Sequence, residues 1–255
     1  MMHDVVYILK NDYKGDELLY SLRSVCMNFP FRKIVTVGGC PDYVYPDIKI
    51  EHDQVGTTKW ERAKSSLIAA FSCDDLTEDV WLFNDDFFVM DKVKANDDMN
   101  FFRGSLEKTI LDIKRERPQG STYINQLERA RGQLLKLGRD TLSFALHIPM
   151  LINREKALTL FNNKNIDMTM FRSMYGNYYA IPCKYMQDVK VFDLETVPDT
   201  PYISTTDKNF TDGKVGEFLR QYFKEPCQYE QPPSDRLRKE TTEHYDEEGN
   251  IRYDL

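Results

Sequence analysis

The chain has 255 residues, 41% hydrophobic and 13% aromatic, which is enough to bury the core of one domain or of a domain with an appendage. No apolar run approaches the roughly 20 residues that span a bilayer, and the start, "MMHDVVYILKND", has neither the basic n-region nor the cleavage site of a signal peptide; a cytoplasmic protein with no integral membrane segment is expected. A net charge of -7 argues against a surface coated for non-specific nucleic-acid binding, and five scattered cysteines without CxxC spacing argue against a cysteine zinc site and for reduced thiols.

In chain order, "DVVYILKND" opens with a short apolar strand, Val5 to Leu9. In "GDELLYSLRSVCMNF", Leu18, Leu19, Leu22, Val25, Cys26 and Phe29 recur at helical spacing, with Asp16 as N-cap. "RKIVTVGGC" predicts a strand at Ile34 to Val37, stopped by Gly38-Gly39, and "DIKIE" a third. "TKWERAKSSLIAAF" puts Trp60, Ala63, Leu67, Ala70 and Phe71 on one helical face, and a buried strand follows at Val80 to Phe83. Strands alternating with helices predict a largely parallel sheet, whose ligands bind at the carboxyl ends of the strands. Further on, Met99 to Arg117 and Asn125 to Leu137 read as helices rich in Arg and Lys, "TLSFALHIPMLI" as a strand broken by Pro149, and Arg154 to Phe161 and "MTMFRSMYGNYY" as helices. "VKVFDLE" reads as a late strand and "GKVGEFLRQYFK" as a last helix. The chain contains no internal repeat and no Gly-rich phosphate loop.

The strand at Val80 runs straight into Asp85-Asp86, within "VWLFNDDFFVM". Adjacent aspartates ordinarily close a turn or cap a helix. Here apolar residues flank them on both sides, and an ionised carboxylate in apolar surroundings needs a partner. A hard divalent cation, Mg²⁺ or Mn²⁺, is one such partner, and it would in turn hold a diphosphate.

The stretches "ELLYSLRSV", "FRKIVTVGG" and "WLFNDDFFVMDKV" together resemble the second conserved region of the Stealth-type sugar-phosphate transferases, and "LHIPMLINREKALTLF" is similar to that family's next region, a His-x-Pro before a short helix. "VYILKNDYKGD" departs from the family's first region, with Asn11 and Asp12 its nearest polar equivalents. The resemblance implies an α/β fold of GT-A type: a mostly parallel sheet flanked by helices, with a helical insertion. With it, the chain divides into a nucleotide-binding half at residues 1–95, a basic helical insertion or lid at 96–140 and an acceptor-binding half at 141–224; from Glu225 the chain is rich in Pro, Glu, Gln and Arg with few aliphatics, which reads as a mobile or loosely docked tail at 225–255.

The members of that family move a sugar with its phosphate, whereas ordinary GT-A enzymes move the sugar alone; the activity expected here is metal-dependent transfer of a sugar from a nucleotide-sugar to an acceptor hydroxyl. Transfer of a sugar-1-phosphate is the alternative within the class, and a metal-dependent phosphatase or nuclease the alternative outside it. The metal would sit on Asp85, Asp86 and His147. Asp86, His147 and Asp207 are the catalytic candidates. The donor would meet Lys10, Asn11, Arg23, Lys59, Arg62 and Asn84, and the acceptor Arg172 and Asn177. The excess of Arg and Lys between Arg103 and Arg139 favours an anionic acceptor, a phosphate-bearing polymer or a DNA base, over a neutral glycan.

Overall fold

The computed structural model describes residues 2–94, 99–116, 121–232, 244–245 and 251–252. Its centre is a five-stranded sheet built from β1 (Asp4–Ile8), β2 (Ile34–Val37), β3 (Ile48–Ile50), β4 (Asp79–Phe83) and a strand far along the chain, Met150–Asn153. The spatial order is β3-β2-β1-β4 and then Met150–Asn153. The first four strands are mutually parallel, and Met150–Asn153 runs antiparallel to β4, with Leu82 opposite Met150. That reversal brings the residues just before Met150 beside the carboxyl end of β4.

The remaining elements are α1 (Glu17–Asn28), α2 (Lys59–Phe71), β5 (Phe87–Val89), β6 (Asn100–Phe102), α3 (Leu106–Glu116) and α4 (Thr122–Lys136). The antiparallel edge strand is β7, followed by α5 (Arg154–Asn162), α6 (Phe171–Tyr178), β8 (Cys183–Tyr185), β9 (Tyr202–Ser204), α7 (Asp207–Asp212) and α8 (Lys214–Tyr222). β5 pairs antiparallel with β9, and β6 parallel with β8.

Alternation along the strands divides the core between the two faces of the sheet. Val5, Tyr7, Ile34, Trp81 and Phe83 pack with Leu18, Leu22, Val25 and Phe29 of α1 and its exit. Val6, Val35, Val37, Val80 and Leu82 pack with Leu67, Ala70 and Phe71 of α2. Leu106, Ile110, Ile124, Leu127, Ala130 and Leu134 of α3 and α4 belong to that same cluster. The expected insertion is therefore part of the main core and does not stand apart as a lid. A third cluster joins Phe88 and Ile203 to Phe210, Val215, Leu219 and Phe223 of α7, α8 and the residue that follows. Among the described residues, no helix is long and apolar enough to cross a membrane.

Several elements differ from expectation. Residues 100–102 are a strand, so the helix expected from Met99 starts only at Leu106. The chain from Leu142 to Pro149 is irregular, and "VKVFDLE" contributes only a bridge from Lys190 to Ser204. Asp16 occupies the N-cap position of α1 but makes no side-chain cap bond; the Tyr13 hydroxyl accepts from Leu18 N at 3.0 Å instead. The tail begins later than residue 225. Tyr45 N donates to Tyr229 O at 2.8 Å and the Tyr229 hydroxyl donates to Asp47 Oδ2 at 2.7 Å, which fastens the chain as far as Glu230. Most of the tail beyond residue 232 lies outside the described residues.

Arg154, the first residue of α5, ties the far end of α2 to the sheet. Its guanidinium donates to Phe71 O (2.8 Å), Cys73 O (2.7 Å), Leu76 O (3.0 Å) and Thr77 O (2.8 Å), carbonyls at and after the end of α2. A charged donor on orphan helix carbonyls stabilises both the hydrogen bonds and the helix dipole. Arg154→Ala is expected to lower unfolding free energy by about 2–4 kcal/mol in urea titration. Arg154→Lys should recover only part of it, because an ammonium cannot reproduce the planar fork.

Candidate functional site

At the exit of β4 the chain turns through Asn84, Asp85 and Asp86 into β5, with Phe87 N donating to Asn84 O at 3.3 Å. A polar stripe on α1 holds β5 in place. Ser21 Oγ donates to Phe87 O (2.5 Å), Val89 N donates to Ser24 Oγ (3.0 Å), and Asn28 Nδ2 donates to Val89 O (2.8 Å). These residues are three and four apart, one row of a helix, and all three are buried.

The aspartates have separate partners. Asp86 Oδ2 accepts from Lys190 Nζ at 2.5 Å and from Ser204 Oγ at 2.9 Å, and Lys190 also donates to Thr205 O. Asp85 turns the other way, into an open cleft of about 590 Å³ that it shares with Lys10, Asp12, Tyr13, Lys14, Asp16, Glu17, Asp207 and Arg220. Burial and the neighbouring charge of Asp86 push the Asp85 carboxyl up to about 6, against a hydrogen bond from Tyr13. Glu17 is 6% exposed and accepts from the Thr205 hydroxyl at 2.8 Å. Burial, with the charges of Asp85, Asp86 and Asp207, raises it to about 7.

His147 lies one strand over, just before β7. Its Nδ1 faces both oxygens of Asp188, at 2.9 and 3.0 Å, and Arg103 Nη1 closes the row at 2.6 Å from Asp188 Oδ2. The hydrogen bond to His147 and the charges of His147 and Arg103 hold the Asp188 carboxyl below its ordinary value despite burial. An ionised Asp188 fixes the tautomer with the proton on Nδ1, leaving Nε2 as a base. Arg172 of α6 sets the backbone on either side of the imidazole. It donates to Ile148 O (2.5 Å) and Leu146 O (3.3 Å), and its guanidinium lies 5.3 Å from the centroid of Phe87, whose other neighbour is the His147 ring, edge-on. Burial draws Arg172 down to about 10.

Several sequence-based assignments change as a result. The trio Asp85, Asp86 and His147 does not form a metal shell. Asp86 is neutralised by Lys190, and among the described residues no group of three or more His, Cys, Asp and Glu side chains is arranged to hold a metal ion; Asp188 occupies only Nδ1 of His147 and leaves Nε2 as its basic or ligating atom. Arg23 does not face a nucleotide. It forms a two-bond ion pair with Glu230 (2.7 and 2.6 Å) and donates to Phe223 O. Arg172 positions His147 rather than an acceptor. Asn177 is buried and spent on Leu142 N, Leu142 O and Ser173 O.

Lys59 and Arg62 are exposed on α2 and do not line the cleft, the Lys59 ammonium lying 4.4 Å from the centroid of Trp60. Lys10 and Asp207 do line it, and Asn84 is exposed at its edge of the sheet. With its amide turned so that the nitrogen faces His52 O and the oxygen faces Gln54 N, each at 3.2 Å, Asn11 bridges the exit of β1 to the loop after β3. Gly39 permits that approach, since a Cβ there would fall 2.3 Å from Asn11 O.

The basic helices are largely self-paired. Lys114 meets Glu128 (2.6 Å), Arg131 meets Glu107 (3.5 Å), Arg129 meets Asp167 (3.4 Å) and Arg115 meets Asp112 (3.8 Å). This weakens the case for an anionic acceptor drawn from their charge; Arg117 lies outside the described residues. Glu17, Asp188 and Lys190 were not singled out in sequence. Glu17 is a first-turn acid of α1, a common position for one, and no spacing links residues 188 and 190 to 147 and 86. In comparisons with known proteins, no family model matches the chain and no curated protein matches it significantly.

Glu17 provides a test of the cleft's electrostatics. Its folded-state pKa stands above its ordinary 4.5, so the folded state holds the proton more tightly and stability falls as pH rises from about 4.5 to about 7. Glu17→Gln removes that loss while keeping an acceptor for Thr205. It is expected to be about 1–3 kcal/mol more stable than the parent at pH 8 and near parity at pH 4. Denaturant titrations at the two pH values check this, and an equal destabilisation at both would overturn the reading.

Proposed function

We propose that the protein is a nucleotide-sugar-dependent transferase of GT-A type, with the donor diphosphate in the cleft and the acceptor hydroxyl brought to His147. The observation that carries the reading is the His147–Asp188 pair, an imidazole with its tautomer set, at the carboxyl edge of a mostly parallel sheet, on the segment that leads into the strand paired with β4, whose own exit carries Asp85. Ligands of open α/β sheets bind on that edge. Lys10, Lys14 and Arg220 supply the cleft with cations for a diphosphate. Nε2 of His147 takes the proton of the attacking hydroxyl, and Asp188 stabilises the imidazolium that results.

Mg²⁺ or Mn²⁺ fits this cleft in a narrower way than three protein ligands. Such ions are held by one or two carboxylates plus substrate phosphates. Asp85, with Glu17 close enough to feel its charge, would hold the ion, and the raised pKa values of both acids mark carboxylates short of counter-charge. When bound, the ion would stabilise charge on the leaving diphosphate.

The placement of "NDDFF" at the exit of β4 also favours a second reading, that of the sugar-phosphate transferases the sequence resembles. Attack at the anomeric carbon releases a nucleoside diphosphate, whereas attack at phosphorus releases a nucleoside monophosphate. A thermal-shift screen of nucleotide diphosphates and nucleotide-sugars, with and without Mn²⁺, identifies the donor, because a ligand of the folded state raises Tm by mass action. Product analysis with that donor then separates the two reactions. His147→Ala and Asp188→Asn are each expected to cut turnover by roughly 10²-fold or more with donor affinity unchanged. Failure of every nucleotide to raise Tm, or full activity in both variants, would overturn the proposal.

A further inference from the structure

Cys26, in the last turn of α1, and Cys227, just past α8, are separated by nearly the whole chain, yet the fold brings both onto one cluster beneath α1, where the Glu230 carboxylate links Arg23, one turn before Cys26, to Cys227 N. Both residues are half-buried, and both pack on the cluster beneath α1. The backbone around them is already clamped. Arg23, one turn before Cys26, holds Glu230 through two bonds and Phe223 O through a third, while Cys227 N donates to Glu230 Oε1 at 2.8 Å.

We propose that Cys26 and Cys227 form a redox-modification site, closing a disulfide that fastens the segment after α8 to α1. Both thiols reach solvent in part, the clamp holds them in register, and the other three cysteines lie elsewhere in the chain, Cys40 being buried. The Cys227 thiol, facing Cys26, is drawn below its ordinary pKa against the effect of burial, as suits a thiol that ionises to attack a disulfide.

A small-molecule disulfide such as oxidised glutathione supplies the oxidising equivalents. The Cys227 thiolate attacks one of its sulfurs, breaking that S–S bond, and one glutathione leaves as thiolate. Cys26, having lost its proton to solvent, then attacks the Cys227 sulfur of the mixed disulfide. This releases the second glutathione and leaves one protein disulfide in place of two thiols.

The consequence reaches the cleft. α7 and α8 carry Asp207, Phe210, Thr211 and Arg220 of its lining, and Arg220 donates to Phe210 O, joining the two helices. A bond between Cys26 and Cys227 ties this wall covalently to α1, which carries Glu17 at its opposite end. In the reduced protein the same attachment rests on Arg23, Glu230 and Tyr229.

The test is to incubate the full chain with oxidised glutathione, block remaining thiols with iodoacetamide and map peptides without reduction. The expected result is one cross-linked pair containing Cys26 and Cys227, a protein mass lower by two hydrogens, and a Tm raised by about 5–10 °C that dithiothreitol reverses. Cys227→Ser should show neither the pair nor the shift. The wild-type peptide map stands alone should that variant fold poorly. Stable glutathione adducts on either residue, a different cysteine pair, or no oxidation at all would each overturn the proposal.

Discussion

The ion pair between Asp86 and Lys190 is the interaction on which the site's geometry depends. Its partners are 13% and 14% exposed, and removing either would leave a charge in low-dielectric surroundings, which is far more costly than the pair itself is stabilising. The bond joins the exit of β4 to a segment more than a hundred residues later, and Ser204 of β9 shares it. β5 is thereby held between α1 on one side and β9 on the other. Asp85, one residue earlier, faces the cleft, where Lys10 is the cation that acts on it.

The same strand exit sets the second half of the site. Phe87 follows the aspartates directly, and its ring is flanked by His147 and Arg172. Arg172 spends its charge on backbone carbonyls around His147, which makes it a girder whose position is read by the imidazole. Asp188 and Arg103 complete the row, so three separate segments (the ends of β6 and β8, and the approach to β7) converge on one ring. A histidine held in this way has a defined tautomer and a defined direction, which a free surface histidine lacks.

The cleft itself is electrostatically unfavourable in the folded state alone. Glu17 and Asp85 are both raised toward neutrality by burial, Asp85 further by the charge of Asp86, and Glu17 by the charges of Asp85, Asp86 and Asp207. Groups that destabilise the fold and face an open cleft mark sites whose missing counter-charge arrives with a ligand. This contrasts with Asp4, equally buried, whose carboxylate is fully met by Arg32 and Thr77 and held below its ordinary value.

Local pattern determined much of the framework. The short apolar runs of β1, β2 and β4, buried on both faces, the helical spacing of α1 and α2, and the Asp pair at a strand exit are readable because each is set by neighbours within about a dozen residues. The candidate residues that held their place in the cleft, Lys10, Asp85 and Asp207, sit at ends of such elements or beside them. What failed were assignments that depended on distant partners. Arg23 has the spacing of a residue flanking the apolar face of α1, and only folding of the chain's far end shows that Glu230 claims it. Asp86 leaves the expected metal trio for the same reason, because Lys190 reaches it from across the fold. β5, β8 and β9 are three residues each, too short for periodicity to reveal, and they exist through pairing across long stretches of chain. Side-chain charge is written in the sequence, but which charge neutralises which is decided by long-range topology, and here that decision separates a structural aspartate, Asp86, from the one left open to a ligand, Asp85.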